Sequence, residues 1–308
     1  MRPGPRLCLL AASVVLGSAL IAPLVKLFLD FTVTQWPPLG NLLHIQDEVY
    51  NFGRVFRRIL LAGSLLALWL GRRWVPLAPL RSMELAPPGR AIREFVIGFG
   101  LGATSFTLLL FAIALVDHRP VTIHLGAEVV GRLGKAFGTA VTVGILEEFL
   151  FRGLLLQTLL LRYRVATALV ASSLAYALPH FFRGQLPVIA GFDPGIGFRA
   201  LSAVVVTPLL ETDPILLTSL TLVGVTLGCA RLWRRSLSLA MGIHAGWVFL
   251  IKIGGPLLGW EGYAWLYGET GLLGGPGGWV ALGVMLLLFR MILRPADAST
   301  PARGGSGS

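Results

Sequence analysis

Apolar runs close to the ~20 residues needed to cross a bilayer recur along nearly the whole chain, and they leave few folds open. In hydrocarbon every backbone N–H and C=O must be satisfied within the protein, so only helices or a closed barrel can span. The alternating segments of ~10 residues that mark a barrel do not occur in this sequence. Of the 308 residues, 55% are hydrophobic and only 13% charged, where a soluble domain carries roughly a quarter. The fold class expected is all-α, a polytopic transmembrane helical bundle.

The runs read as spans over about 7–29, 59–70, 95–116, 137–160, 165–182, 214–230, 237–258 and 271–293. The first could be a signal peptide, but it is long and no A-x-A pattern closes it, so a retained helix is expected. Positive charge tests the count, because cytoplasmic loops collect Lys and Arg. With the N-terminus inside, the arginines from Arg72 to Arg93, the turn with Arg162 and Arg164, the "RLWRR" turn (Arg231, Arg234, Arg235) and the tail with Arg294 all fall inside. The loop "GWEGYAWLYGET", acidic and aromatic without Lys or Arg, falls outside. About eight spans with both termini cytoplasmic satisfy these loops. Arg54, Arg57 and Arg58 are the exception.

The stretch 196–210 is left as a re-entrant or interfacial segment. Asp213 and Pro214 read as the N-cap and first position of the next helix. The division expected is 1–94 for the N-terminal spans and a basic, Pro-rich loop, 95–293 for a catalytic membrane domain with its core over 137–258, and 294–308 for a disordered tail. The net charge of +11 comes mostly from arginines flanking spans, and without a basic stripe elsewhere no nucleic-acid partner is expected. Cys8 and Cys229 both lie in apolar runs and give neither a disulfide framework nor a Cys-based metal site.

Ionisable residues inside spans are costly and normally face a cavity or one another. The run "GILEEFLFRGLLL" holds three of them, Glu147, Glu148 and Arg152. Glu148 and Arg152 are i,i+4 neighbours on one helix face and can neutralise each other. Glu147 projects about 100° away, and Val143, Gly144, Leu150 and Phe151 at its helical neighbour positions offer no charge. Its partner must come from elsewhere, and two histidines are available. His180 lies in "YALPH" with Tyr176 one turn before it, and His244 lies in "MGIHAGWV" between Gly242 and Gly246. His44, His118 and His124 fall in loops.

Depth separates the two. At 1.5 Å per residue, Glu147 lies ~20 Å from the end of its span near Leu160, and His180 ~22 Å from the start of its own near Val165. His244 lies only ~10 Å from Leu237. The count pairs Glu147 with His180 and leaves His244 too shallow unless its helix tilts or begins earlier.

These residues resemble a known family. "EEFLFRG" is similar to the EExxxR motif of the CAAX prenyl endopeptidase and bacteriocin-processing (CPBP, or Abi) membrane proteases. "YALPH" resembles the family's FxxxH motif with Tyr176 for phenylalanine, and "HAGWV" its HxxxN or HxxxD motif. The resemblance covers about 137–258. One departure stands out: the closing Asn or Asp is Val248 here. In the family that polar residue helps position water or stabilise an oxyanion, and valine can do neither.

The resemblance implies peptide hydrolysis by an intramembrane endopeptidase, CAAX protease-like and classed with metalloproteases. Glu147 would be the general base on a water held with His180 and His244, and would later protonate the leaving amine. Glu148, with Arg152 and Tyr176, would orient the site, or serve as base if Glu147 were a ligand. His180 and His244 would hold that water directly or bind Zn2+, and a carboxylate with two histidines is a reasonable open zinc set. The sequence leaves the metal unsettled. The partners expected are the lipid bilayer and a peptide or membrane-protein substrate; in a bacterium this would be a multi-pass protein of the inner membrane. Two other readings stay open: a non-catalytic scaffold or immunity-type member, motivated by Val248, and a haem-binding or transport protein with His180 and His244 as axial ligands, which leaves Glu147, Glu148 and Arg152 unexplained.

Overall fold

A computed structural model describes residues 3–36, 50–71, 86–117, 129–188, 191–258 and 276–292. The "GWEGYAWLYGET" loop, the 294–308 tail, most of the basic Pro-rich loop, and His44, His118 and His124 lie outside the described residues. Among the described residues the secondary structure is helical apart from one antiparallel pairing of two residues on each side, β1 (Tyr50–Asn51) with β2 (Pro187–Val188). The helices are α1 (Pro3–Gln35), α2 (Phe52–Gly71), α3 (Pro88–Asp117), α4 (Val129–Glu148), α5 (Val165–Ala177), α6 (Ile196–Leu201), α7 (Pro214–Arg234), α8 (Leu237–Leu258) and α9 (Pro276–Ile292). Among the described residues three helical segments, Cys8–Thr32, Pro88–Leu109 and Pro214–Arg234, are long and apolar enough to cross a membrane. Val165–Phe181, Ile196–Leu210, Leu237–Ile253 and Gly278–Ile292 are shorter apolar helices.

The chain forms two compact units, one of residues 1–77 and 177–213, the other of 78–176 and 214–308. In the first, Phe52, Phe56 and Leu60 repeat every four residues and are buried, the stripe an amphipathic helix turns inward. They meet Ala19 and Ala22 of α1 and Ile196, Ala200 and Val204 from the 196–210 segment. That segment is helical throughout, with a π-type stretch over Ser202–Val206. Lys26, buried within α1, bonds Asp30 and the Gly191 carbonyl. Arg57 donates to the Gly184 carbonyl at 3.2 Å. One of the three arginines that strained the charge rule therefore has a structural partner.

In the second unit α8 packs against both α3 and α4, while α7 packs on α8 and α9. Lipid is as apolar as leucine, so membrane helices associate through close packing at small residues. Gly242 and Gly246 do this on α8: a Cβ there would run into the backbone of Phe95 and Phe99 on α3. Ser236 fixes where α8 begins. Its hydroxyl accepts from the Leu239 N–H at 3.2 Å and donates to buried Glu94, which also takes Arg90 at 2.9 Å, so the helix start is capped. Phe106, Val223, Leu227, Leu239, Ile243 and Trp247 form the centre of this unit's core.

Candidate active site

Ala136, Ala140, Gly144 and Glu148 form a buried stripe on α4 at four-residue intervals. Gly144 meets the Met241 carbonyl and Ala245 of α8, so small residues bring the backbones together and Glu148 arrives at the contact. Directly after Glu148 the winding changes: Phe149–Leu155 is a π-helix, and Leu156–Leu160 resumes the α form. Bonds from i to i+5 place more residues in each turn, so each advances less along the axis; such turns are frequent at functional sites.

The depth count leaves His244 shallow, yet His244 lies against both glutamates; the π stretch shortens the rise over only seven residues and accounts for a small part of that difference. The imidazole Nδ1 is 2.9 Å from Glu148 Oε1, and its Nε2 is 3.8 Å from Glu147 Oε2.

Glu148 and Arg152 pair as expected, at 2.8 Å and fully buried. The guanidinium is engaged on further sides. Its second terminal nitrogen donates to the Gly224 carbonyl at 3.1 Å, and its Cζ lies 4.3 Å from the centre of the Tyr176 ring, a cation–π contact. Phe151 and His244 meet the same ring edge-on, with centroids 5.4 and 5.9 Å away. A buried carboxylate next to a guanidinium is an acceptor only. Opposite such an acceptor, His244 Nδ1 is the donor, and its Nε2 is the ring nitrogen on the side of Glu147.

Glu147 differs. It is 29% exposed, and its Oε2 has no hydrogen bond among the described residues. At 3.8 Å, His244 Nε2 is beyond direct hydrogen-bond range. The second unit thus gathers Glu147, Glu148, Arg152, Tyr176 and His244. His180 belongs to the first unit, in the 3-10 turn Leu178–Phe181 that follows α5, where its carbonyl accepts from Arg183 Nε at 2.8 Å.

Among the described residues no group of three or more His, Cys, Asp and Glu is placed to hold a metal ion. Among the described residues of the second unit, Glu147 Oε2 and His244 Nε2 lie 3.8 Å apart, two groups where a catalytic zinc takes three protein ligands. Trp247, adjacent to Val248, donates its indole N–H to Ser105 Oγ at 3.1 Å and stacks on Phe289. Gly224 and Ser105 escaped the sequence reading. The signal for Gly224 was present as the G-x-x-x-G pair Gly224 and Gly228, the small-residue spacing of close membrane-helix contacts.

Searches among curated proteins and among solved structures gave no match. A family model does match, that of the type II CAAX prenyl endopeptidase, Rce1-like, over residues 129–250. Those residues contain both glutamates, Arg152, Tyr176, His180 and His244. Long apolar helices and a family of membrane proteases agree on an integral membrane protein. Over residues 129–250 the chain is similar to the Rce1-like, type II CAAX prenyl endopeptidase family.

Proposed function

We propose that this protein is a glutamate-dependent intramembrane endopeptidase, and one observation carries the reading. Two adjacent carboxylates have different surroundings: one oxygen of fully buried Glu148 takes both Arg152 and His244, whereas Glu147 is partly exposed and its Oε2, without a hydrogen bond among the described residues, lies 3.8 Å from His244 Nε2. One water at ordinary hydrogen-bond distances of about 2.8 Å spans such a gap, giving one hydrogen to each acceptor. Glu147 takes a proton as that water attacks the peptide carbonyl carbon. The C–N bond then breaks, and Glu147 returns the proton to the leaving amine. Glu148 holds the His244 tautomer and is a positioning residue. No step passes through a metal.

The substrate class is a peptide or membrane protein reached from the bilayer or the cytoplasmic face. About eight spans with both termini cytoplasmic remain the topology the loop charges favour. The test is turnover of quenched peptides by purified protein in liposomes. Glu147→Gln should abolish turnover while the melting temperature holds; undiminished turnover in that variant would sink the reading.

A second reading rests on Val248 together with Trp247. The missing Asn or Asp is not replaced by the neighbouring indole, whose N–H is committed to Ser105. A non-catalytic member would bind membrane partners without cleaving them.

A further inference from the structure

We propose that Gly224 is a positioning residue of the site, holding Arg152 through a seam between α5 and α7 that Ser173 sets. The inference rests on the proposed reaction for its kinetic consequence, not for its structural content.

A helical carbonyl already accepts from the N–H four residues on, and its second lone pair is free for another donor. At Gly224 that lone pair takes Arg152 at 3.1 Å. The carbonyl can be there only because α7 lies unusually close to α5. A Cβ built on Gly224 would stand 2.7 Å from Ser173 Cβ, 2.9 Å from its Cα and 3.0 Å from its Oγ. Real Cβ atoms do not approach so closely. Ser173 is buried, and its hydroxyl has no hydrogen bond among the described residues, so its role at the seam is one of size.

The consequence passes along a chain of contacts. Gly224 and the Tyr176 ring fix two aspects of the guanidinium. The guanidinium fixes Glu148, and Glu148 fixes the protonated nitrogen of His244. A methyl at position 224 forces the two helices apart, withdraws the carbonyl and leaves a buried guanidinium N–H without an acceptor. The guanidinium then turns, and Glu148 loses its grip on His244 Nδ1.

The experiment reads the ring directly. Ring-15N-labelled histidine in detergent-solubilised protein distinguishes a protonated Nδ1 from a bare one, with His244→Ala assigning the signal. The wild type should show His244 locked with its proton on Nδ1. In Gly224→Ala the locked signal should be lost or averaged between tautomers, and Ser173→Gly/Gly224→Ala should restore it at least in part. On a cleaved peptide, kcat should fall roughly tenfold to a hundredfold, the scale of a small misplacement, with KM little changed. A Gly224→Ala protein that keeps the locked signal overturns the proposal, as does a double variant that restores nothing. If Gly224→Ala yields no folded protein, the double variant decides alone: a locked ring supports the seam, and an unlocked ring in folded protein overturns it. A wild type that shows the lock and its loss yet cleaves nothing leaves Gly224's role standing and refutes the protease reading.

Discussion

His244 Nδ1 and Glu148 Oε1 lie 2.9 Å apart, and both side chains are buried. The same oxygen receives Arg152 at 2.8 Å. One carboxylate thus balances a guanidinium and orients an imidazole, while its neighbour in sequence does neither. Glu148→Gln should therefore cost stability, because it leaves the Arg152 charge buried without its counter-ion. Breaking a buried pair from one side costs about 3–5 kcal/mol. Glu147→Gln should melt close to wild type. Thermal melts of the two purified variants decide this, and equal losses would contradict the division of roles.

Arg152→Lys keeps the charge but not the geometry. A planar fork reaches Glu148 and Gly224 with separate nitrogens while its Cζ stays 4.3 Å from the centre of the Tyr176 ring; an ammonium is a point charge without that fork. The lysine variant should fold less stably than wild type and lose at least about tenfold in kcat, the size of about 1.4 kcal/mol in the barrier. Wild-type kcat in Arg152→Lys would show that charge alone suffices.

Tyr176 separates ring from hydroxyl. Arg152, Phe151 and His244 all meet the ring, so Tyr176→Phe should retain the fold and the His244 geometry. Tyr176→Leu removes the π face and should cost about 2 kcal/mol, the value for a desolvated cation–π contact. A phenylalanine variant that melts like wild type but has lost its turnover would assign the hydroxyl to the chemistry.

The helical fold class, the partnership of Glu148 with Arg152 and the lack of a charged partner for Glu147 on its own helix were all legible in the sequence. Each follows from short-range periodicity: i,i+4 neighbours share a face whatever surrounds the helix. His244 was legible as a candidate partner for Glu147, and only the depth count disfavoured it. That count took a uniform rise and a helix start at Leu237; nothing in "FLFRGLL" marks the i→i+5 winding, which accounts for a small part of the discrepancy. Gly224 is half legible. The G-x-x-x-G spacing with Gly228 marks a close helix contact, but a backbone carbonyl has no sequence signature, and its bond to Arg152 depends on the approach of Ser173 on another helix. Lys26, by contrast, needed the fold to find its partner at Gly191, 165 residues away.

Gly242→Ala tests the packing that delivers His244. The added methyl meets the Phe95 carbonyl and the Phe99 nitrogen across the α3–α8 contact. Backbone cannot move aside as a side chain can, so the helices must separate, at about 1–3 kcal/mol for an overpacked site. Melting and turnover should fall together in this variant. Unchanged melting would mean that α3 and α8 tolerate a wider spacing than the described contact.

The last prediction concerns Val248. A protease that lacks the motif's Asn or Asp needs another donor for the developing oxyanion, and Trp247 is the nearest indole in sequence. Its N–H is held by Ser105, whose hydroxyl in turn donates to the Gly102 carbonyl at 2.9 Å. Releasing that donor would break a chain of two bonds between α3 and α8, so Trp247 is a packing residue. Trp247→Phe should then cost stability without a selective loss of kcat. Val248 is only partly buried and lies one turn beyond His244, where an amide can be added without filling a closed space. Val248→Asn should raise turnover of a quenched peptide by tenfold or more, approaching the ~10²–10³ associated with one oxyanion donor. An unchanged rate in Val248→Asn, with the wild type active, would mean that a backbone N–H or another side chain already supplies the donor. No turnover in either protein, with the His244 tautomer locked in both, would favour the non-catalytic reading.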